Sequence, residues 1–199
     1  MDALDLAARK TELQRMGFRL LAEDATSFVA VRSKWYWECM FTKMTTLVVV
    51  RRVANVTAED IGNDAKWILT NADKMDPSGL PTGFQKGRIY LTVYLADRVD
   101  DSAWARAAKK PWADLGTFFV PAVRDANRSE FFRGTRIWGA VYYPIFQFLL
   151  GRLVEPWQPA PDKEPLSTSG MVMTLLVLFM LIGMCLCLPA GLVLAGAMR

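Results

Sequence analysis

Acidic side chains are the residues whose positions first suggest chemistry in this sequence. Asp97, Asp100 and Asp101 follow the most strongly alternating strand pattern, at a place where carboxylates can bind a cation. Acids there also serve as the N-cap and first-turn charges of a following helix, because a helix N-terminus attracts negative charge. We favour the capping interpretation, with a cation site as the alternative.

A second group of carboxylates lies, together with a lysine, on successive strand candidates. Its members are Glu23, Asp24, Glu38 and Lys43. Metal-dependent nucleases of mixed αβ type gather such side chains at strand ends. Glu38 and Lys43 are five positions apart, however, so they point to opposite faces of a regular strand. Solvated strand ends are therefore the favoured interpretation.

Other kinds of active site find little support in the sequence. The chain has no histidine, which is the commonest general base and a common haem or metal ligand. Residues 83–87 only faintly resemble a phosphate-binding loop. The cysteines have neither disulfide nor zinc spacing, which fits a reducing compartment. We expect no cofactor, haem or metal, and we favour a non-catalytic role while enzyme activity stays open.

Arginine and aromatic residues crowd a predicted β-hairpin near position 130, and a second aromatic cluster surrounds position 36. This composition is typical of protein interfaces, lipid headgroup contacts and single-strand nucleic-acid surfaces. A solvated hairpin with its aromatic rings in the core is an equal alternative. The candidate interface consists of Trp35, Trp37, Arg124, Arg128, Phe131, Phe132, Arg133, Arg136 and Trp138.

The C-terminal segment from Met171 to Met198 contains no charged residue. About 20 apolar residues are enough for a helix to cross the ~30 Å hydrocarbon core of a bilayer. A backbone in lipid must satisfy its own hydrogen bonds, and a helix does so. We therefore predict one transmembrane anchor over residues 171–198, with a buried core helix as the alternative.

Small residues recur along this anchor at intervals of four. They are Gly183, Cys187, Gly191 and Ala195. The spacing places them on one face of the helix, where a second helix can approach closely. We predict that this helix-packing stripe contacts other integral membrane proteins.

The orientation of the chain is predicted from its flanking segments. The N-terminus shows no basic or apolar signal region, and basic residues before the anchor outnumber the single Arg199 after it. We expect a single-pass, tail-anchored protein of the cell membrane, with residues 1–154 in the cytoplasm. Residues 155–170 contain several prolines, which favour the extended polyproline II conformation. We predict that they form a stiff linker.

Hydrophobic periodicity predicts that residues 1–154 form one α+β domain, with a mostly antiparallel sheet flanked by helices. Three adjacent strands joined by short turns predict an antiparallel meander at its start. The very apolar segment 137–154 is expected to pack on the sheet as a helix, with a membrane-interface helix or a second span as alternatives. Helices are predicted over 2–16, 57–72, 101–109 and 137–154, and strands over 18–22, 27–37, 39–53, 88–96, 117–124 and 130–136. Thr57 is the expected N-cap of the second helix, and Asp101 or Ser102 that of the third.

The net charge of +4 is spread over interleaved basic and acidic residues. It suits a domain near an anionic leaflet and is too diffuse to indicate nucleic acid. The sequence favours a non-catalytic accessory or structural subunit that binds and stabilises a larger membrane protein complex, for instance respiratory or photosynthetic. The alternatives are a membrane-anchored hydrolase or nuclease-like enzyme that uses carboxylates, and a membrane-tethered sensor or adaptor with an apolar cavity.

Overall fold

The computed structural model describes residues 5–36, 42–71, 86–114, 117–134 and 142–155, together with residues 175, 176 and 179. In this part of the chain, a mixed seven-stranded sheet is flanked by helices, so the fold is α+β. The helices are α1 (Leu6–Arg15), α2 (Ala58–Asn71), α3 (Asp101–Ala108) and α4 (Tyr143–Val154). The strands are β1 (Arg19–Glu23), β2 (Ser27–Tyr36), β3 (Thr42–Val56), β4 (Lys86–Val99), β5 (Trp112–Asp114), β6 (Thr117–Arg124) and β7 (Ser129–Phe131).

The strands follow the order β1-β2-β3-β4-β6-β5, and β7 pairs with β6. The first three strands form the predicted antiparallel meander, in which Val29 lies opposite Val49. The two central ladders, β3 with β4 and β4 with β6, are parallel. The expectation of a mostly antiparallel sheet therefore needs correction to a mixed one. The physical reason is that α2 and α3 carry the chain back across the sheet, and such crossovers connect parallel strands.

One face of the sheet packs against α1 and α4. Leu13 of α1 and Phe146 and Leu150 of α4 are buried in one cluster with Val48 and Leu91 of the central strands. Residues 143–154 thus pack on the sheet, as the favoured interpretation of segment 137–154 predicts. Residues 137–141 of that segment lie outside the described residues.

The opposite face of the sheet packs against α2 and α3. Ile61 of α2 and Trp104 of α3 are buried with Leu47, Tyr90 and Phe119 of the central strands. The β2 and β3 side chains next to this cluster are only partly buried. On this face of the sheet, α2 therefore leaves side chains of β2 and β3 partly accessible.

The start of α2 is fixed by a reciprocal pair of hydrogen bonds. The main-chain N–H of Asp60 donates to Thr57 Oγ1 at 3.2 Å, and the Thr57 N–H donates to the Asp60 carboxylate at 2.9 Å. This arrangement satisfies two of the N–H groups that a helix N-terminus leaves unpaired. The predicted N-cap at Thr57 is confirmed, and it sets the position of α2 over the sheet.

Among the described residues, no helix has both the length and the apolar character needed to cross a membrane. Most of the predicted anchor and linker lies outside the described part, including the stripe of Gly183, Cys187, Gly191 and Ala195. Leu175, Leu176 and Phe179 are described as helical, and their side chains are exposed.

Candidate functional site

An open cavity of about 470 Å³ lies between α2 and the β2–β3 part of the sheet. Val29 and Val49 line it from the sheet, and Trp67 and Ile68 line it from α2. We call this cavity the Trp67 groove. Its size falls within the ~300–1,000 Å³ that is usual for small-molecule sites. Its other lining residues are Ser27, Arg51, Asn63 and Asp64.

The residues that line the groove lie on one face of the sheet and on one side of α2. Val29 and Val49 are direct cross-strand partners, so their side chains share one face of the sheet. On α2, Asn63 and Trp67 are one turn apart and lie side by side. The buried residues of α2 pack into the core with side chains of β3 and β4, and of these residues only Ile68 also lines the groove. The sheet surface at β2 is therefore left half covered, and α2 forms one wall above it.

Trp67 presents the largest exposed apolar side chain of the groove, with 59% of its surface accessible. Indole rings contribute a large contact area in binding sites and carry one N–H donor. Trp67 was not predicted as a site residue. Its exposure could have been predicted, because it falls outside the apolar stripe that Ile61, Ala65 and Ile68 form on this amphipathic helix.

The polar end of the groove is a hydrogen-bonded group of three residues. Arg51 Nη1 donates to the two carboxylate oxygens of Asp64 at 2.7 and 2.6 Å. The hydroxyl of Tyr94, which lies on β4, donates to Asp64 Oδ2 at 2.7 Å. Burial, reinforced by the charge of Asp64, raises the pKa of Tyr94 above its usual 10.0. Tyr94 therefore stays a protonated donor, and Asp64 is held in place from two directions.

The two candidate interface clusters occupy separate parts of the sheet. Trp35 on β2 is 55% exposed, while the hairpin residues lie on and around β6 and β7, beyond β3 and β4 in the strand order. The structure does not bring the two clusters together. Trp37, Arg136 and Trp138 lie outside the described residues.

Most described residues of the hairpin cluster make contacts within the domain. The side chain of Phe131 is buried and that of Phe132 is partly buried. The Arg133 guanidinium lies over the Phe131 ring at 4.1 Å, and that of Arg128 lies over the Trp104 ring at 4.5 Å. Arg124 is only 1% exposed. Among the described residues of this cluster, the exposed side chains are therefore mainly those of Arg128 and Arg133.

Arginine contacts hold the C-terminal end of α4, and we call this set the α4 junction. Arg124 donates to the carbonyl oxygen of Val154, and Glu155 accepts from Arg133 and from Ser129 Oγ. Burial lowers the pKa of Arg124 from 12.5 to about 10, and the charge of nearby Arg9 adds to this effect. Arg124 thus remains a cation at neutral pH.

The carboxylates at the end of β4 and the start of α3 have surface or helix-terminal positions. Asp100 occupies the N-cap position of α3, one residue before the predicted cap at Asp101 or Ser102, and its side chain makes no capping hydrogen bond. Asp101 lies in the first turn. Asp97 is exposed and lies 3.9 Å from the guanidinium of Arg52. In the described ranges, no group of three or more acidic, cysteine or histidine side chains is placed to hold a metal ion.

The carboxylates near β1 lie in two different local settings. Glu23 forms an ion pair with Lys10 of α1 at 2.6 Å. Asp24 accepts hydrogen bonds from Thr26 and Ser27 in the turn to β2. Glu38, which the sequence grouped with them, lies outside the described residues.

No protein-family model matches this chain, and a search of curated proteins finds no match either. Function therefore has to be inferred from the Trp67 groove, the α4 junction and the sequence that follows that junction.

Proposed function

We propose that this protein is a non-catalytic accessory subunit that binds and stabilises a larger membrane protein complex. Residues 171–198 anchor it in the cell membrane, residues 155–170 serve as a stiff linker, and residues 1–154 form the cytoplasmic domain. The observation that carries the proposal is the α4 junction at Val154 and Glu155, because a proline-rich segment and then an uncharged apolar segment follow it directly.

The composition of the core supports a membrane location for residues 171–198. Helices α1 and α4 supply the core on one face of the sheet, and α2 and α3 supply it on the other. Within the described ranges, the hydrophobic core consists of residues that precede position 155. A long apolar segment left in water would carry a large free-energy cost, about 25 cal/mol for each Å² of apolar surface. A bilayer removes this cost.

Two exposed tryptophans support a binding role for the cytoplasmic domain. Trp35 and Trp67 are each more than half exposed on the domain, and tryptophan is enriched at the energetic centres of protein interfaces. In the membrane, the stripe from Gly183 to Ala195 supplies a close-packing surface for a partner helix. Respiratory and photosynthetic assemblies are the class of host that we favour.

Membrane fractionation tests the anchor. The full chain is expected to stay with membranes through an alkaline carbonate wash, whereas a chain that ends at residue 170 is expected in the aqueous fraction. Release of the full chain by the wash would rule out the anchor. Labelling of a single cysteine tests on which side of the membrane the domain lies. The cysteine replaces exposed Glu59 in a chain whose natural cysteines have been removed. An impermeant maleimide should label it only from the cytoplasmic side.

The helix-packing stripe provides a test of partner binding. The double substitution Gly183→Leu and Gly191→Leu places large side chains on the stripe and should reduce the amount of complex recovered in mild detergent. The matched control is Val177→Leu with Val193→Leu, which changes positions off the stripe. Equal recovery of the two double variants would contradict packing through the stripe.

We also propose a second candidate function, a membrane-tethered adaptor whose domain binds a small ligand. The observation in its favour is the Trp67 groove, whose volume of about 470 Å³ and mixed lining resemble those of ligand sites. Saturable binding of 2-naphthoate, a flat aromatic monocarboxylate, to the purified full chain would support this function, and the lack of such binding would contradict it.

A further inference from the structure

We propose that the Trp67 groove binds small monocarboxylates that have a flat apolar body. The inference deepens the second candidate function, and it is independent of whether residues 171–198 anchor the chain. The two ends of the groove differ in chemistry, since one is apolar and the other is charged.

The apolar end of the groove suits a flat ring. Val29 and Val49 form an aliphatic floor, and Ile68 and the exposed indole of Trp67 form a wall. Aromatic rings in contact prefer offset-stacked or edge-to-face arrangements, and these add to the free energy of burying their area. A ligand ring placed there would cover apolar surface on both the sheet and the helix.

The charged end of the groove suits a carboxylate. A guanidinium has five N–H donors in a planar fork that matches the two oxygens of a carboxylate. Within the described residues, the hydrogen bonds of Arg51 run through Nη1 to Asp64. The side chain of Arg51 is 44% exposed, so its other N–H groups are accessible beside the apolar floor. The side-chain amide of Asn63 supplies a further donor among the lining residues.

The ion pair between Arg51 and Asp64 restricts the charge of the ligand. The Asp64 carboxylate repels an anion in proportion to its charge, so a ligand with two negative charges is repelled twice as strongly as a monocarboxylate at the same distance. A cation is disfavoured as well, because Asp64 already accepts hydrogen bonds from Arg51 and Tyr94. A single negative charge aligned with the free donors of Arg51 fits the site best.

The test uses the purified full chain in mild detergent, with the detergent alone as the reference, and ligand-detected saturation-transfer NMR. The probes are 2-naphthoate, its neutral isostere 2-naphthamide and the dianion 2-naphthyl phosphate. We expect 2-naphthoate to bind most tightly. Equal or tighter binding of the amide or of the phosphate would overturn the assignment of a monocarboxylate.

Matched variants locate the site. Arg51→Gln and Trp67→Ala should each weaken 2-naphthoate binding roughly ten-fold or more, since each removes one end of the groove. Arg51→Lys keeps the positive charge but loses the planar set of N–H donors of the guanidinium. Its affinity for 2-naphthoate should therefore lie between those of wild type and Arg51→Gln. The controls are Arg52→Gln, which is next to Arg51 but outside the groove lining, and Trp35→Ala, which removes an equally exposed indole. Both controls should bind as wild type.

Three results would overturn the proposal. The first is the lack of saturable 2-naphthoate binding to the wild-type chain, and the second is equal weakening by the controls. The third is a pair of observations: the wild-type chain does not bind 2-naphthoate, and Arg51→Gln and Trp67→Ala each lose the membrane complex. That pair would assign the groove to a protein partner. None of these results bears on membrane anchoring, which the carbonate wash tests separately.

Discussion

The buried guanidinium of Arg124 donates a hydrogen bond to the main-chain carbonyl oxygen of Val154. This carbonyl belongs to the last turn of α4, where carbonyl groups have no partner within the helix. A cation at this end also interacts favourably with the helix dipole. The contact therefore ties the end of β6 to Val154, the last residue of α4.

Replacing Arg124 with methionine should destabilise the domain by about 2–4 kcal/mol, because the Val154 carbonyl would then be buried without its donor. Urea unfolding of the full chain, followed by tryptophan fluorescence, measures this loss. Arg128→Met is the matched control, since Arg128 is exposed, and it should cost less than about 1 kcal/mol. Equal losses in the two variants would mean that the Val154 contact contributes little.

The ion pair between Glu12 of α1 and Arg152 of α4 should couple these two helices. Both side chains are mostly buried, so the attraction is poorly screened by water. A double-mutant cycle with Glu12→Gln and Arg152→Met is expected to give a coupling free energy of about 1 kcal/mol. The more exposed pair Lys10 and Glu23 should give less in the same measurement. A coupling near zero at Glu12 would contradict this account of the contact between α1 and α4.

Gly87 on β4 lies directly opposite Met44 on the parallel strand β3. A Cβ atom added at Gly87 would overlap the buried Met44 thioether. We therefore expect Gly87→Ala to cost about 1–3 kcal/mol in the free energy of unfolding. Shortening the opposing side chain with Met44→Val should recover part of that cost in the double variant. If the two substitutions were simply additive, the overlap would not be the cause.

Asp24 gives a prediction about acid stability. Hydrogen bonds from the Ser27 hydroxyl and then from the Thr26 N–H lower the pKa of Asp24 from 3.8 to about 2. A carboxylate with a lowered pKa in the folded state stabilises that state above its unfolded pKa. This contribution should therefore be complete above pH 3.8 and should disappear as the pH falls to about 2. Unfolding midpoints of wild type and Asp24→Asn, measured across this range, should converge at the acidic end. A constant difference would refute the assignment.

Local patterns in the sequence predicted much of the fold. Period-two alternation located β2, and the N-cap chemistry of Thr57 located the start of α2. The parallel pairing of β3 with β4 was not predicted, because strand direction depends on where α2 takes the chain. The three residues of β5 (Trp112–Asp114) are too few to show any periodicity.

The candidate site was harder to predict because its residues meet only through the tertiary fold. Arg51 and Asp64 are on different elements, and the Trp67 groove exists because α2 packs over β3 and β4 rather than over β2. Arg124 was assigned to an exposed surface on the basis of its charge. Its buried position depends on the Val154 carbonyl of α4, which no pattern around Arg124 reveals.

The size and composition of the assembly extracted from native membranes in mild detergent test the central claim most directly. The account predicts a defined species larger than one chain, in which other integral membrane proteins accompany this one in fixed proportion. Recovery of the chain as a detergent-bound monomer, or in the aqueous fraction without detergent, would contradict the proposal of a membrane-anchored accessory subunit.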